Sequence, residues 1–173
     1  MRNLENFLIS VEKKAFRMAQ LATHCEADAL DIVQDTMIKL AGKYSHKPEH
    51  EWRPLFYSIL ENRIMDWHRK QQLKKKFFFW RKDELSENEE LATELQQTQA
   101  GPESELISEQ LGERILAGVA ALPLQQQQCF VLRAWEGLSV VETAQAMGIN
   151  ENSVKTHYAR AVQKLKAFQT SNQ

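Results

Sequence analysis

Helical periodicity is the feature that most constrains the fold of this chain. Near the N-terminus, apolar side chains recur every three or four positions and form one stripe along a helix: Leu4, Leu8, Val11, Ala15, Met18 and Ala22. The same spacing repeats in nearly every later segment, and the sequence holds no run of alternating β-branched residues bounded by turn signals. The sequence therefore predicts an all-α protein.

Charged residues divide the chain into three parts. Residues 1–82 hold 16 Lys and Arg against 10 Asp and Glu, whereas residues 83–102 hold six acidic residues and no basic one. This middle segment, DELSENEELATELQQTQAGP, has too few large apolar residues to fold alone. We therefore predict two small helical domains, residues 1–82 and 105–173, joined by a flexible acidic linker over residues 83–104.

Composition argues against several other classes of protein. No apolar run approaches the ~18 residues that span a bilayer, and MRNLENFLIS lacks the apolar core of a signal peptide. Cys25 and Cys129 lie far apart, which indicates no disulfide framework and fits a reducing cytoplasm. The pair His24-Cys25 and the pair His46 and His50 both lack zinc-site spacing. We expect a cytoplasmic protein without membrane insertion, catalytic residues, metal or cofactor.

The second predicted helix, ADALDIVQDTMIKLAGKY, has two distinct faces. Its apolar core stripe consists of Val33, Met37, Leu40 and Tyr44. A different face, spaced i, i+3, i+4 and i+7, consists of Asp31, Gln34, Asp35 and Ile38. From its residues alone, this face is either an ordinary solvated surface or a docking surface.

A third long helix is predicted after the loop SHKPEHEWRP, whose two prolines interrupt the helical pattern. Residues 69–82, at its basic end, hold seven basic residues and no acidic one, which favours contact with phosphates. This end includes the run KKKFFFWRK, residues 74–82. For its aromatics we favour packing of Phe77 and Trp80 against their own domain, at i and i+3, over stacking on nucleic-acid bases. A membrane anchor is disfavoured because four residues bury too little.

The C-terminal part has the pattern of a helix-turn-helix. Ser139 and Glu142 have the spacing of a capping box, Gly148 ends that short helix, and Asn150 caps the final helix. On a helical wheel the final helix turns an apolar side inward and polar groups outward. These outward residues either bond base edges and phosphates or form an ordinary solvated helix face. The outward set consists of Asn152, Ser153, Lys155, Thr156, His157, Arg160 and Lys164.

The stretch LPLQQQQCFVLRAWEGLSVVETAQAMGINENSVKTHYARAVQKLK resembles the C-terminal promoter-binding domain of bacterial RNA polymerase sigma factors. The segments DIVQDTMIKL and LFYSILENRIMDWHRK are similar to the polymerase-binding helix and the promoter-melting segment of the same family. Two such domains with only a linker between them resemble the extracytoplasmic-function (ECF) group. The resemblance to the C-terminal domain is carried by Leu122-Pro123, Glu136-Gly137-Leu138-Ser139, the turn from Ala144 to Ile149, and Ser153-Val154-Lys155-Thr156.

The resemblance implies a transcription initiation factor that directs core RNA polymerase to promoters. The polar face of the second helix, which holds Asp31, Gln34, Asp35 and Ile38, would bind the clamp helices of the largest polymerase subunit. The polymerase flap would be a second contact. An anti-sigma factor is a further expected partner. The outward set of the final helix would read the upstream (minus-thirty-five) element. The downstream (minus-ten) element would be bound and melted by Asn62, Arg63, Asp66, Trp67, Arg69, Lys70, Lys74, Lys75 and Lys76.

Three departures from the family pattern and two rival functions accompany this interpretation. The family often has arginines where this chain has His157 and Ala159, and an arginine where it has Glu61. The family's usual aromatic and glycine-containing loop is replaced by Tyr44-Ser45-His46 and the following His50. An autonomous helix-turn-helix regulator would need a dimer interface, and no sustained heptad is evident. A helical adaptor would not need the basic recognition face.

Overall fold

The computed structural model describes residues 2–84 and 106–171, so most of the predicted acidic linker lies outside the described residues. A π-helical turn over Val131–Trp135 directly follows the helix that ends at Phe130. No strand occurs in the described ranges, and the all-α prediction is confirmed. The helices are α1 Arg2–Thr23, α2 Glu26–Tyr44, α3 Glu49–Glu84, α4 Leu106–Ala120, α5 Leu124–Phe130, α6 Val140–Met147 and α7 Glu151–Ser171.

The apolar stripe of α1 packs against α2 and α3, as its spacing predicts. Ala15 is fully buried and Met18 nearly so. The small side chain of Ala15 lets the three helices approach closely. At one end of this core, the Phe7 ring lies 6.0 Å from both Trp52 and Phe56, measured between ring centroids. Complete burial of a side chain such as Phe56 stabilises the fold by about 1.5–3 kcal/mol.

Helix α3 begins earlier than its sequence pattern predicts. Its first residue is Glu49, so Pro54 lies inside the helix and not in a loop. Pro54 has no N–H to donate to the carbonyl of His50, but this loss falls near the helix start and removes only one bond. The neighbouring Trp52 and Phe56 are both buried, and their packing holds the first turns in place. At its other end, α3 continues through Glu84, two residues beyond the predicted domain boundary.

The capping groups predicted in the helix-turn-helix are all present. The Ser139 backbone N–H donates to Glu142 Oε2 at 2.7 Å, and the Glu142 N–H donates to Ser139 Oγ at 3.1 Å. Gly148 has a φ of 66°, the left-handed conformation that ends α6. The Ser153 N–H donates to Asn150 Oδ1 at 2.8 Å, which caps α7. These local bonds orient α7 relative to α6.

The two halves of the chain pack on each other along α3, which lies against α6. Arg53 donates to the backbone oxygen of Glu136, and the Tyr57 hydroxyl donates to the Glu136 carboxylate. Glu61 follows Tyr57 by one helical turn and lies close enough to Cys129 to affect its ionisation. We call this contact the interdomain seam: Arg53, Tyr57 and Glu61 of α3 against Cys129 and Glu136.

A second contact joins the halves beside the seam. The Gln127 side-chain amide donates to the backbone oxygens of Leu21 and Val119, each at 3.1 Å. Leu21 belongs to α1 and Val119 to α4, so one glutamine of the QQQQ run links three helices. Gln127 is buried, and these bonds satisfy an amide that would otherwise be costly to bury.

Candidate polymerase and nucleic-acid interfaces

The outward face of α7 carries the residues predicted to read the upstream element. Val154 and Ala161 are completely buried beneath it, in agreement with the helical wheel. Ser153 and His157 are half-buried. The amide, hydroxyl, ammonium and guanidinium groups of the remaining members can bond base edges and phosphates. Those exposed members are Asn152, Lys155, Thr156, Arg160 and Lys164.

Packing under α7 holds this face in a defined orientation. Tyr158 stacks on Phe130 with ring centroids 6.2 Å apart and planes 14° apart. The Arg133 guanidinium carbon lies 5.7 Å from the centroid of the Tyr158 ring. Arg133 also donates to the backbone oxygen of Leu138 at 2.6 Å. Arg133 therefore connects the π-helical turn, the segment before α6, and α7, and positions the recognition face.

The residues predicted to melt DNA lie on the middle of α3 and differ in accessibility. Asn62 and Asp66 are exposed, and Asp66 Oδ1 pairs with Arg69 Nη1 at 2.9 Å. This surface ion pair is weak, so either partner can be released to a ligand. Trp67 is half-buried, and its indole Nε1 donates to Asp28 Oδ2 at 2.9 Å. Trp67 therefore anchors α3 to α2, and a DNA contact from it stays a prediction.

Two further cationic members of the predicted melting set also differ in exposure. Lys70 is exposed, whereas Arg63 is half-buried. The Arg63 Nε has no hydrogen-bond partner among the described residues. Next to them, burial lowers the pKa of His68, although its ring accepts or donates a 2.8 Å hydrogen bond with the backbone oxygen of Ala22. His68 therefore adds little positive charge to this region at neutral pH.

The last part of α3 extends away from the body of the protein. Gln71 is half-buried, but every side chain from residue 72 to residue 82 is exposed. We call residues 72–82 the α3 tip. It contains the predicted phosphate contacts Lys74, Lys75 and Lys76, and all three lysines are exposed.

The aromatic run of the α3 tip does not pack as the sequence led us to expect. The exposed fractions are 68% for Phe77, 56% for Phe78, 73% for Phe79 and 79% for Trp80. The prediction that Phe77 and Trp80 pack against their own domain is therefore wrong. The 36 residues of α3 extend about 54 Å, whereas the 22 residues of α1 extend about 33 Å, so the tip passes beyond its neighbours.

The polar face of α2 is fully accessible. Ile38 is 69% exposed although it is apolar, and it lies one turn after Asp35 and two turns after Asp31. Its helix instead turns Ile32, Val33 and Leu40 inward. A single exposed isoleucine is ordinary on a protein surface, so the docking role of this face stays a prediction. All four residues predicted to dock on polymerase are exposed on this face: Asp31, Gln34, Asp35 and Ile38.

The interdomain seam contains the most strongly perturbed groups of the described chain. Glu61 is 1% exposed, and neither carboxylate oxygen has a hydrogen-bond partner among the described residues. Burial raises the pKa of Glu61 well above its ordinary value. Burial and then the nearby Glu61 raise the pKa of Cys129 to about 12. Burial, followed by its bond to Glu136, also raises the pKa of Tyr57.

No local pattern in the sequence predicts the interdomain seam. Glu61 stands out only as a departure from a family arginine, and Tyr57 lies inside the segment similar to the promoter-melting segment. The one available signal was the spacing of Arg53, Tyr57 and Glu61, which places them on a single stripe of α3 beside its apolar core stripe. Nothing local in the sequence indicates that Glu136 lies opposite that stripe.

Comparison with known proteins identifies the two halves. Residues 5–74 match the family described as Sigma-70 region 2, and residues 112–165 match the family described as Sigma-70, region 4. The RNA polymerase sigma factor YlaC of Bacillus subtilis is 30% identical over 151 residues, which span 87% of this chain and 82% of YlaC. The chain belongs to the sigma-70 family of RNA polymerase sigma factors.

Two other relatives refine this assignment. RNA polymerase sigma factor NccH of Alcaligenes xylosoxydans xylosoxydans is 31% identical over 149 residues, 86% of this sigma factor and 76% of NccH. The ECF sigma factor BldN of Streptomyces coelicolor is 41% identical over 69 residues, which span 40% of this sigma factor but only 26% of BldN. The predicted assignment to the ECF group is confirmed. This sigma factor therefore acts in transcription initiation, with RNA polymerase and promoter DNA as partners.

Solved structures share the fold of this sigma factor. RpoE from Bartonella quintana, crystallised with the anti-sigma factor NepR, has a TM-score of 0.71 at 18% identity, with both chains fully covered. CnrH, solved with the cytosolic domain of CnrY, has a TM-score of 0.64 at 17% identity, and the match covers 98% of this sigma factor and 89% of CnrH. At this identity the likeness concerns the fold alone.

Residues 2–84 and 106–171 contain neither a candidate membrane span nor a candidate metal cluster. No helix there is long and apolar enough to cross a membrane. No group of three or more His, Cys, Asp and Glu side chains in these ranges could hold a metal ion. Cys25 and Cys129 are both free thiols.

Proposed function

We propose that this sigma factor reads the upstream promoter element with α7, binds and melts the downstream element with α3, and docks on polymerase through α2. The observation that carries the proposal is the accessibility of three separate faces while the two halves of the protein are packed together. Each helix presents an exposed part of its face, and no residue of the three faces belongs to the interdomain seam.

The α7 face supplies few phosphate contacts. Its exposed cations are Lys155, Arg160 and Lys164, and three such contacts give a salt slope of only about −3. Such a surface binds DNA weakly when it acts alone. A scaffold that holds α7 and α3 at the spacing of two promoter elements would add avidity without new contacts. Core polymerase is that scaffold, which argues against an autonomous regulator.

The α3 surface combines accessible polar groups with a basic end. Asn62 and Asp66 present an amide and a carboxylate that can hydrogen-bond the edges of unpaired bases. The exposed cations that follow can hold the backbone of the same strand. We assign this role to Asn62, Arg63, Asp66, Arg69, Lys70, Lys74, Lys75 and Lys76, with Trp67 as the anchor of the helix.

The α2 face fits a basic protein groove. Asp31 and Asp35 lie one turn apart, and the exposed Ile38 follows Asp35 by one further turn on the same face. We assign this face to the clamp helices of the largest polymerase subunit, and a second contact to the flap. Because RpoE and CnrH were solved with NepR and CnrY, we also propose an anti-sigma factor as a regulator of this sigma factor.

We place the working boundaries of the two domains at residues 1–82 and 105–173, with residues 83–104 as the linker. This sigma factor supplies recognition and DNA opening but no catalytic group of its own, because polymerase carries out the chemistry. It acts in the cytoplasm, where polymerase binds the chromosome.

Run-off transcription tests this proposal. Purified sigma factor and core polymerase are incubated with a promoter selected from genomic fragments by the reconstituted holoenzyme. Arg160→Ala is expected to reduce the promoter-specific transcript by about five- to 150-fold, since one charged contact to DNA contributes about 1–3 kcal/mol. Arg17→Ala, at an exposed arginine of α1, is the matched control and leaves transcription unchanged. If the wild-type protein gives no promoter-specific transcript, the proposal is wrong.

The docking face is tested separately from DNA binding. Asp31→Lys/Asp35→Lys is expected to weaken binding to core polymerase by at least about tenfold, because like charges replace complementary ones. Glu12→Lys, an exposed charge reversal on α1, is the control. Equal core affinity for both variants would remove the α2 face from the proposal.

A further inference from the structure

The α3 tip carries an exposed aromatic run that the proposed function leaves unexplained. Four consecutive aromatic side chains, residues 77–80, are each more than half exposed. They lie between three lysines on one side and Arg81 and Lys82 on the other. Exposed aromatic clusters of this size are rare on a protein that has no partner for them.

The arrangement of the aromatics restricts the shape of the partner. Successive residues of a helix are about 100° apart, so four in a row point in directions that span about 300°. A flat membrane surface or a single protein groove can cover only one side of such a helix. A flexible strand with separate planar groups can follow the circumference and meet each ring with its own face.

The charge of the α3 tip restricts the chemistry of the partner. Between Asp66 and Asp83 the sequence contains seven basic residues and no acidic one. Lys74, Lys75 and Lys76 are exposed, as are Arg81 and Lys82 beyond the aromatics. Cations on both sides of an aromatic cluster match a chain in which phosphates alternate with bases.

The position of the α3 tip brings it within reach of an opened strand. Asp66 and Phe78 are twelve residues apart on one continuous helix, which corresponds to about 18 Å. At about 3.4 Å for each stacked nucleotide, about five nucleotides bridge this distance. A strand released at Asn62 and Asp66 therefore reaches the aromatics without leaving the helix.

We propose that the α3 tip is a stacking site for single-stranded DNA, in which bases stack on Phe77, Phe78, Phe79 and Trp80 while the flanking cations bind the phosphates. This inference rests on the proposed function, since it supplies a place for the strand that α3 opens. The site retains single-stranded DNA after melting and has no preference among base sequences, because every base has a stacking face.

Binding of a fluorescein-labelled oligothymidylate to the full-length sigma factor tests this site directly. Phe78→Ala/Phe79→Ala is expected to weaken binding at least about tenfold without changing its salt dependence, since the number of phosphate contacts is unchanged. Lys74→Ala/Lys75→Ala/Lys76→Ala is the complementary variant and is expected to reduce the salt slope by about 2. Trp80 fluorescence is quenched by the oligonucleotide in the wild type, and Trp80→Phe removes that change.

Double-stranded DNA and lipid vesicles distinguish the alternatives. A duplex of mixed sequence is expected to bind wild type and Phe78→Ala/Phe79→Ala equally, because its bases are not free to stack. Equal binding of the single strand by these two proteins overturns the inference. The inference is also overturned if the aromatics bind phosphatidylglycerol vesicles and not the single strand. That result would assign them to a membrane surface.

Transcription separates this inference from the proposed function. On a promoter with a pre-opened bubble, Phe78→Ala/Phe79→Ala is expected to lose holoenzyme complexes at least about fivefold faster than wild type when challenged with salt. If wild type forms promoter complexes and the variant matches its lifetime, only the stacking site fails. If wild type forms no promoter-specific complex at all, the proposed function fails.

Discussion

Two stretches of α3 can be compared directly: the interdomain seam in its first half and the α3 tip at its end. In the seam, the carboxyl of Glu61 is 1% exposed and the Tyr57 ring is fully buried. In the tip, Phe79 is 73% exposed and Trp80 is 79% exposed. Both stretches belong to one continuous helix, so secondary structure does not cause the difference. What differs is whether another part of the chain packs against the helix.

The two stretches of α3 are expected to affect different properties of the protein. The seam buries an ionisable carboxyl at a cost, which makes the packing of the two halves sensitive to the state of that carboxyl. The tip exposes aromatic surface, which leaves folding almost unaffected but favours binding. Substitutions in the seam should therefore change stability, and substitutions in the tip should change binding.

The largest expected effect is from removing the central ring of the seam. Tyr57→Ala should lower the free energy of unfolding by about 3–5 kcal/mol, because it leaves a cavity and removes the bond to Glu136. Urea denaturation followed by circular dichroism measures this loss. Phe78→Ala, in the tip, is the control. Similar losses for both substitutions would contradict the distinction between the two stretches.

The second prediction concerns pH. Burial raises the pKa of Glu61 above its ordinary value of 4.5, so the unfolded chain releases this proton at lower pH than the folded protein. The stabilisation from the protonated carboxyl is therefore complete below pH 4.5 and decreases as the pH rises toward the folded pKa. The slope reaches at most about 1.4 kcal/mol for each pH unit.

Glu61→Gln isolates this contribution. Its free energy of unfolding should fall less steeply than that of wild type between pH 5 and pH 7. Asp66→Asn, at an exposed carboxyl of the same helix, serves as the control and should keep the wild-type pH dependence. Parallel pH profiles for wild type and Glu61→Gln would show that the seam carboxyl is solvated in solution.

A smaller effect is expected from removing only the hydroxyl of Tyr57. Tyr57→Phe keeps the ring but deletes the bond to the Glu136 carboxylate, which should weaken the seam by about 1.5–3 kcal/mol. Small-angle X-ray scattering should then show a larger radius of gyration, because the two halves separate more often. Tyr44→Phe, outside the seam, should leave the radius unchanged. An unchanged radius for Tyr57→Phe would mean that other contacts hold the halves together.

The smallest effect is expected in the α3 tip. Phe78→Ser/Phe79→Ser should change the free energy of unfolding by less than about 0.5 kcal/mol, because neither ring is buried in the wild type. Urea denaturation of the variant provides the measurement. A loss above about 2 kcal/mol would show that the tip packs against the body of the protein in solution.

Local features of the fold were predictable from the sequence. The capping box of Ser139 and Glu142 was predicted and is present, because both partners lie within four residues of each other. The exposed face of α2 was also predicted, since helical spacing separates Asp35 and Ile38 from the buried Leu40. The roles of these surface residues stay predictions until the substitutions above are measured.

Features that depend on distant packing were not predictable in the same way. The sequence suggested a loop through Pro54, but buried Trp52 and Phe56 hold that segment in the helix. It also favoured packing of Trp80 against the domain, but α3 extends beyond the helices that could have covered that ring. In both cases the neighbouring helices decided the outcome.

The sequence by itself determined the all-α class, the caps of the helix-turn-helix, the apolar stripes and the family to which the protein belongs. These properties depend on residues a few positions apart, and local hydrogen bonds and periodicity specify them. The tertiary structure decided that Glu61 is buried and that the four aromatics of the α3 tip are exposed. The bond between Tyr57 and Glu136 joins residues 79 positions apart, and no local pattern specifies such a pair. Burial depends on which surfaces meet, and only the packed chain establishes that.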